Sequence, residues 1–186
     1  MKCREFAIIL TGIVVLTFLP LPAAAHDETL PDTDFSGVGT GYKVDFQHDD
    51  EDPFKGWVSI TVTNKSTIDW TDFHVEIFQV SGQGAVDNVH FLEGTYESQN
   101  VDPKYSLSTN YTWDIDNDVV GATLDYYFPS AVIAPDAQAT FQFYTDNSDQ
   151  VDIFGMAMYP TPEPATAAVV LLGGAGLLFR RRRRAA

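Results

Sequence analysis

Polar and apolar residues alternate along Lys55–Thr63: Val58, Ile60 and Val62 share one parity, and Ser59, Thr61 and Thr63 share the other. A period of two sends successive side chains to opposite faces, so this segment reads as a strand buried on one side. Asn64 to Thr67 is a polar turn, after which Asp69–Val80 resumes the alternation with Phe73, Val75 and Ile77 opposite His74 and Glu76. Phe78 and Val80 take the other parity, which predicts a bulge or a strand covered on both faces at that end. Gln138–Thr145 repeats the pattern with Ala139, Phe141 and Phe143 against Thr140, Gln142 and Tyr144. Less regular segments at 41–46, 85–92, 111–115, 122–128 and 151–158 complete seven or eight short strands, separated by Gly, Pro, Asn and Asp. With no helical period between them, the pattern predicts an all-β domain, an antiparallel β-sandwich. The polar stretch His26–Gly41, rich in Asp, Thr and Gly, reads as an irregular lead-in.

The two ends follow different rules. Lys2 and Arg4 precede an apolar run from Phe6 to Leu21, broken only by Thr11, Gly12, Thr17 and Pro20, and Ala23-Ala24-Ala25 follows. A basic start, a short apolar stretch and small residues at Ala23 and Ala25 make residues 1–25 a secretory signal peptide, cleaved before His26. Cys3 lies ahead of the apolar run, whereas a lipoprotein cysteine would follow it, so no lipid anchor is implied.

At the other end, Thr161-Pro162-Glu163-Pro164 leads into 15 uncharged residues, Ala165 to Phe179, and then into Arg180, Arg181, Arg182, Arg183 and Arg184. This predicts a single transmembrane helix over about 165–179, stopped by a basic cluster that stays on the cytoplasmic side. Fifteen residues rise only about 22 Å, less than the hydrocarbon core of about 30 Å, so the prolines and the arginine heads must lie near the two interfaces. Pro162 and Pro164 keep the chain ahead of the helix extended, a conformation that a protease can grip. The division is therefore a signal peptide (1–25), an exported domain (26–160) and a C-terminal tail (161–186).

The order of a Pro-Glu-Pro triplet, a short apolar helix and a terminal basic cluster resembles the PEP-CTERM sorting tail. The resemblance implies export by the Sec machinery and transient anchoring in an inner membrane. An exosortase would then recognise Pro162, Glu163 and Pro164 and cleave nearby. It also implies a final location at the cell surface or outside the cell, and an association with extracellular polysaccharide. The segment from Trp57 to Gln79 is similar to immunoglobulin-like domains of such exported proteins, which makes the expected sandwich immunoglobulin-like.

Charge narrows the range of partners. Residues 26–160 hold 24 Asp and Glu against four lysines, Lys43, Lys55, Lys65 and Lys104, and no arginine, a formal charge of −20. Such a body repels phosphate backbones, so nucleic acid is excluded as a partner. The one cysteine leaves with the signal peptide, which removes disulfides, thiolate metal sites and cysteine nucleophiles from the exported domain. Burial must supply the stability, and the ten Phe, eight Tyr and three Trp of residues 26–160 are ample for it.

Candidate chemistry is sparse. Asp114, Asp116 and Asp118 stand at alternate positions, a spacing by which a loop can fold oxygens around Ca²⁺. Val119 occupies the place where an EF-hand needs glycine, and Asp125 the place of its bidentate glutamate, so only a looser calcium loop is a candidate. The run from His48 to Asp52 reads as an exposed acidic loop, and His74 with Glu76 on one strand face is a possible metal pair. Trp57, Trp70, Trp113, Tyr126 and Tyr127 offer rings for stacking on sugars. There is no nucleophile elbow and no phosphate-binding glycine loop, so no catalytic activity is expected and no cofactor is required beyond that candidate calcium. The leading expectation is a non-enzymatic exported protein of the cell surface or extracellular matrix. A polysaccharide-binding module, with or without calcium, comes second and a small secreted hydrolase third. Aromatic residues on one exposed sheet face would favour the second, and a cleft with two facing carboxylates the third.

Overall fold

A computed structural model describes residues 25–118 and 120–162. Residues 1–24 of the expected signal peptide, and the transmembrane helix expected over 165–179, lie outside the described residues. No helix among the described residues is long and apolar enough to cross a membrane.

In chain order the strands are β1 (Glu28–Thr29), β2 (Thr33–Phe35), β3 (Val44–Asp49), β4 (Lys55–Asn64), β5 (Asp72–Phe78), β6 (Val89–Leu92), β7 (Thr95–Tyr96), β8 (Gln99–Asn100), β9 (Lys104–Tyr105), β10 (Thr112–Asp116), β11 (Thr123–Tyr127), β12 (Gln138–Asn147) and β13 (Ile153–Thr161). The first sheet is built on β4 and β12, which pair antiparallel with Trp57 opposite Tyr144 and Val62 opposite Ala139. β1 and β2 join the free edge of β4 in parallel, and β6 and β9 join the free edge of β12. The second sheet runs β10-β11-β5-β13-β3, antiparallel throughout, and β7 and β8 form a separate hairpin.

The alternation explains how the sheets close on each other. Val58, Ile60 and Val62 of β4 and Phe141 and Phe143 of β12 are fully buried, as are Phe73, Val75, Leu124, Tyr126, Met156 and Met158 of the second sheet. Phe73 stacks on Phe141 across the interface, with ring centroids 4.3 Å apart and planes 7° from parallel. Tyr126 adds its ring to Phe141 at 4.9 Å, and its hydroxyl donates to the Gln142 carbonyl at 2.8 Å, so one side chain joins the sheets by packing and by a hydrogen bond. The domain is therefore all-β, two sheets packed face to face around an aromatic core.

The lead-in is irregular only in part. His26–Gly41 contributes β1 and β2, and it buries Leu30 and Phe35 to 2% and 1% exposure. Its polar composition concealed this because an edge strand is held by its backbone: Leu30 N donates to Ser59 O, and Lys65 N to Phe35 O, both at 2.8 Å. β5 shows no bulge either. It keeps one register to its end, and the Phe78 ring lies over Gly155 on the opposite strand, which leaves no space for a side chain there. The strand expected over 41–46 is displaced, because Thr40–Tyr42 forms a short 3-10 turn and β3 continues instead to Asp49.

Candidate functional site

Two features stand out, one on the outer face of the first sheet and one on the seam where the sheets meet. On the outer face, Trp57 of β4 and Tyr144 of β12 are direct cross-strand neighbours with rings edge to face at 5.5 Å. Tyr144 is nearly covered, since Tyr96 of the small hairpin lies 5.9 Å from its ring. Trp57 remains half-exposed, with Lys104 Nζ 3.7 Å above its ring centroid, a cation–π contact. Ser59 and Gln142, then Thr61 and Thr140, continue the cross-strand ladder beyond Trp57 with hydroxyl and amide groups. Two grooves flank this line. One, of about 210 Å³, includes Lys55, Tyr96, Glu97 and Tyr144, and the other, of about 260 Å³, includes Asp27, Glu28, Trp57, Lys104 and Gln142. Lys55 is held in the first groove by the Glu97 carboxylate at 2.8 Å and the Tyr96 hydroxyl at 2.9 Å, which raise its pKa well above the usual lysine value. An aromatic platform beside hydrogen-bonding groups can stack a sugar ring and hold its hydroxyls.

The seam is built by the N-terminal segment. His26 N donates to Lys55 O at 2.8 Å, and Gly56 must be glycine here because a side chain would collide with the His26 backbone. Next along β1, Glu28 contacts Nδ1 of His48 on β3, so a side-chain pair ties the edge of one sheet to the edge of the other. His48 is 1% exposed; its Nε2 faces Asp50 Oδ1 at 3.8 Å, and Asp50 Oδ2 accepts from the Asn147 amide at 2.9 Å. Burial alone would depress the His48 pKa, but hydrogen bonds to Asp50 and Glu28 outweigh it and raise the pKa to about 9. The His26 ring lies edge to face with His48 at 5.8 Å, and His26 Nδ1 is 3.3 Å from Glu51 Oε1.

This corrects the reading of 48–52 as an exposed acidic loop: His48 and Asp50 point inward, while Asp49, Glu51 and Asp52 face solvent. The signal was present in the sequence, since Val44, Phe46, His48 and Asp50 share one parity, but two charged residues disguised its end. The sugar-stacking candidates divide as well. Trp70 and Tyr126 are fully buried and belong to the core, whereas Trp57, Trp113 and Tyr127 keep partial exposure. Trp113 donates its indole N–H to Glu93 at 2.8 Å.

His74 and Glu76 do not act as a pair. His74 Nδ1 meets Asp125 at 2.5 Å and Nε2 lies 3.1 Å from the Thr161 hydroxyl, while Glu76 accepts from Lys43 at 2.8 Å. Asp114 and Asp116 lie on β10, both exposed, with Asp114 opposite Asp125 of β11. Asp118 follows the strand and donates its backbone N–H to Asp116 Oδ1 at 3.0 Å, and Asn117 between them is bonded to Phe91. Among the described residues no three His, Cys, Asp or Glu side chains converge on a metal-sized point. Ala25 is exposed and lines the first groove, and Pro162 follows directly on β13. Ala23, Glu163, Pro164 and Arg180 to Arg184 lie outside the described residues.

Comparison with known protein families, with curated proteins and with solved structures finds no match to this chain.

Proposed function

We propose that this chain is an exported cell-surface or extracellular-matrix protein, delivered through a C-terminal sorting tail that an exosortase removes. The observation that carries the reading is the tail itself: Pro162-Glu163-Pro164, 15 uncharged residues and five arginines in that order. Among the described residues, backbone pairing begins at His26 and the last strand ends at Thr161, beside the two proposed processing regions. On this reading the body is an immunoglobulin-like variant of the sandwich, and it acts by binding or assembly with no catalytic step. Replacing Pro162, Glu163 and Pro164 together by alanine is expected to retain the protein in the membrane fraction of its host, resistant to carbonate extraction. Undiminished release of the variant would overturn the sorting role.

A second reading is favoured by one observation, the partly exposed Trp57 between two grooves, beside a cross-strand ladder of Ser, Thr and Gln. It makes the trimmed body a binding module for extracellular polysaccharide. Asp114, Asp116 and Asp118 are its calcium candidates, on the other sheet.

A further inference from the structure

We propose that processing converts His26 into a copper(II) site. The proposal rests on the signal-peptide cleavage after Ala25 proposed above, which makes His26 the first residue and its nitrogen a free amine. An N-terminal histidine carries two nitrogens on one residue, the α-amine and Nδ1, that close a six-membered chelate ring on a metal ion. Nitrogen donors of this kind in a planar arrangement favour Cu(II), which stands at the top of the divalent series.

The fold adds what a free peptide lacks. The His26 nitrogen is fixed 2.8 Å from the Lys55 carbonyl. An amine that gives its lone pair to a metal keeps two N–H bonds, and one of them can maintain that contact. Glu51 Oε1 lies 3.3 Å from His26 Nδ1. Two donors that bind one metal at about 2 Å and at right angles stand about 3 Å apart, so the carboxylate is placed to be a third ligand. The side chains are 26% and 78% exposed, which leaves the outer side open for water to complete the coordination. Of these three donors only the imidazole and the carboxylate are side chains, and the other is the amine created by cleavage. His48, although adjacent, is not a ligand, because its two nitrogens face Glu28 and Asp50. It holds the segment that carries the site. The formal charge of −20 on the exported body raises the local cation concentration around it.

The test uses the exported protein recovered from its host, with its first residue established by mass. Titration with Cu(II) against competing glycine is expected to give one tight equivalent, and the frozen 1:1 complex an axial electron-paramagnetic-resonance signal with nitrogen couplings. His26→Ala is expected to weaken binding at least 100-fold. Insertion of Gly-Ser-Gly between Ala25 and His26, which keeps the imidazole but moves the amine away, is expected to do the same. Glu51→Gln is expected to weaken it several-fold, and His90→Ala to leave it unchanged. A protein that starts at His26 and binds copper no better than its inserted variant overturns this proposal alone. A start at any other residue overturns the cleavage reading and this proposal with it.

Discussion

His48 is a cation enclosed by the fold, with the carboxylates of Glu28 and Asp50 on either side, the His26 ring at its edge and Phe154 4.7 Å away. Its pKa rises on folding from 6.5 to about 9, so the folded state holds its proton more tightly than the unfolded chain. The stabilisation is therefore complete below about pH 6.5 and is lost as the pH climbs through 9, a change on the order of 3 kcal/mol. Urea unfolding in EDTA is expected to show a midpoint that falls steadily between pH 6.5 and 9.5. His48→Gln should be less stable at pH 6.5 and nearly flat over the same range. A wild-type midpoint independent of pH there would show that the imidazole is neutral in the folded protein.

Trp57 plays a different part at the same scale. It supports no core contact across the sheets, since its ring meets only Tyr144 and Lys104 among the aromatic and cation partners. Trp57→Ala is expected to abolish retardation of the trimmed body in gels containing the host's extracellular polysaccharide, while thermal unfolding still shows a single cooperative transition. Equal retardation of both proteins would remove the binding-module reading.

Among the elements, β4, β5 and β12 were legible because each buries one face and exposes the other, which is the condition under which a period of two appears in sequence. β1 and β2 were not. They lie on an edge and are held by backbone hydrogen bonds, which leave almost no trace in residue type beyond Leu30 and Phe35. The seam formed by Glu28, His48 and Asp50 escaped for a related reason: its members come from separate segments, and only the pairing of β1 with β4 brings Glu28 to β3. Trp57 was legible as a candidate, but the features that distinguish it from the buried Trp70 are exposure and the neighbouring grooves, which depend on the whole sheet.

Gly56 tests the attachment of the N-terminal segment. A methyl group at this position meets the His26 backbone, so Gly56→Ala is expected to displace the segment and to destabilise the domain by about 1–3 kcal/mol. Hydrogen exchange should report faster exchange at Trp57 N, which now donates to Asp27 Oδ1 at 2.9 Å, and at Leu30 N. Unchanged exchange at both amides would mean that the segment does not depend on that close approach.

At the scale of the molecule, the outer faces of the sandwich differ in kind. That of the second sheet carries Asp72, Glu76, Asp114, Asp116 and Asp125 around His74, while that of the first carries Trp57 and a ladder of Ser, Thr and Gln. The four body lysines are all engaged, three by Glu76, Glu97 and Asp136 and the fourth by the Trp57 ring. With so little free positive charge, the surface of the domain repels polyanions.

The claim that unites these features is that the folded domain is cut free at both ends, and intact mass of the protein from the membrane and extracellular fractions of its native host tests it most directly. The expected product is an extracellular species that begins at His26 and ends close to Pro162-Glu163-Pro164, without Arg180 to Arg184. A protein found only in the membrane with the five arginines intact would contradict it, and would make the tail a permanent anchor.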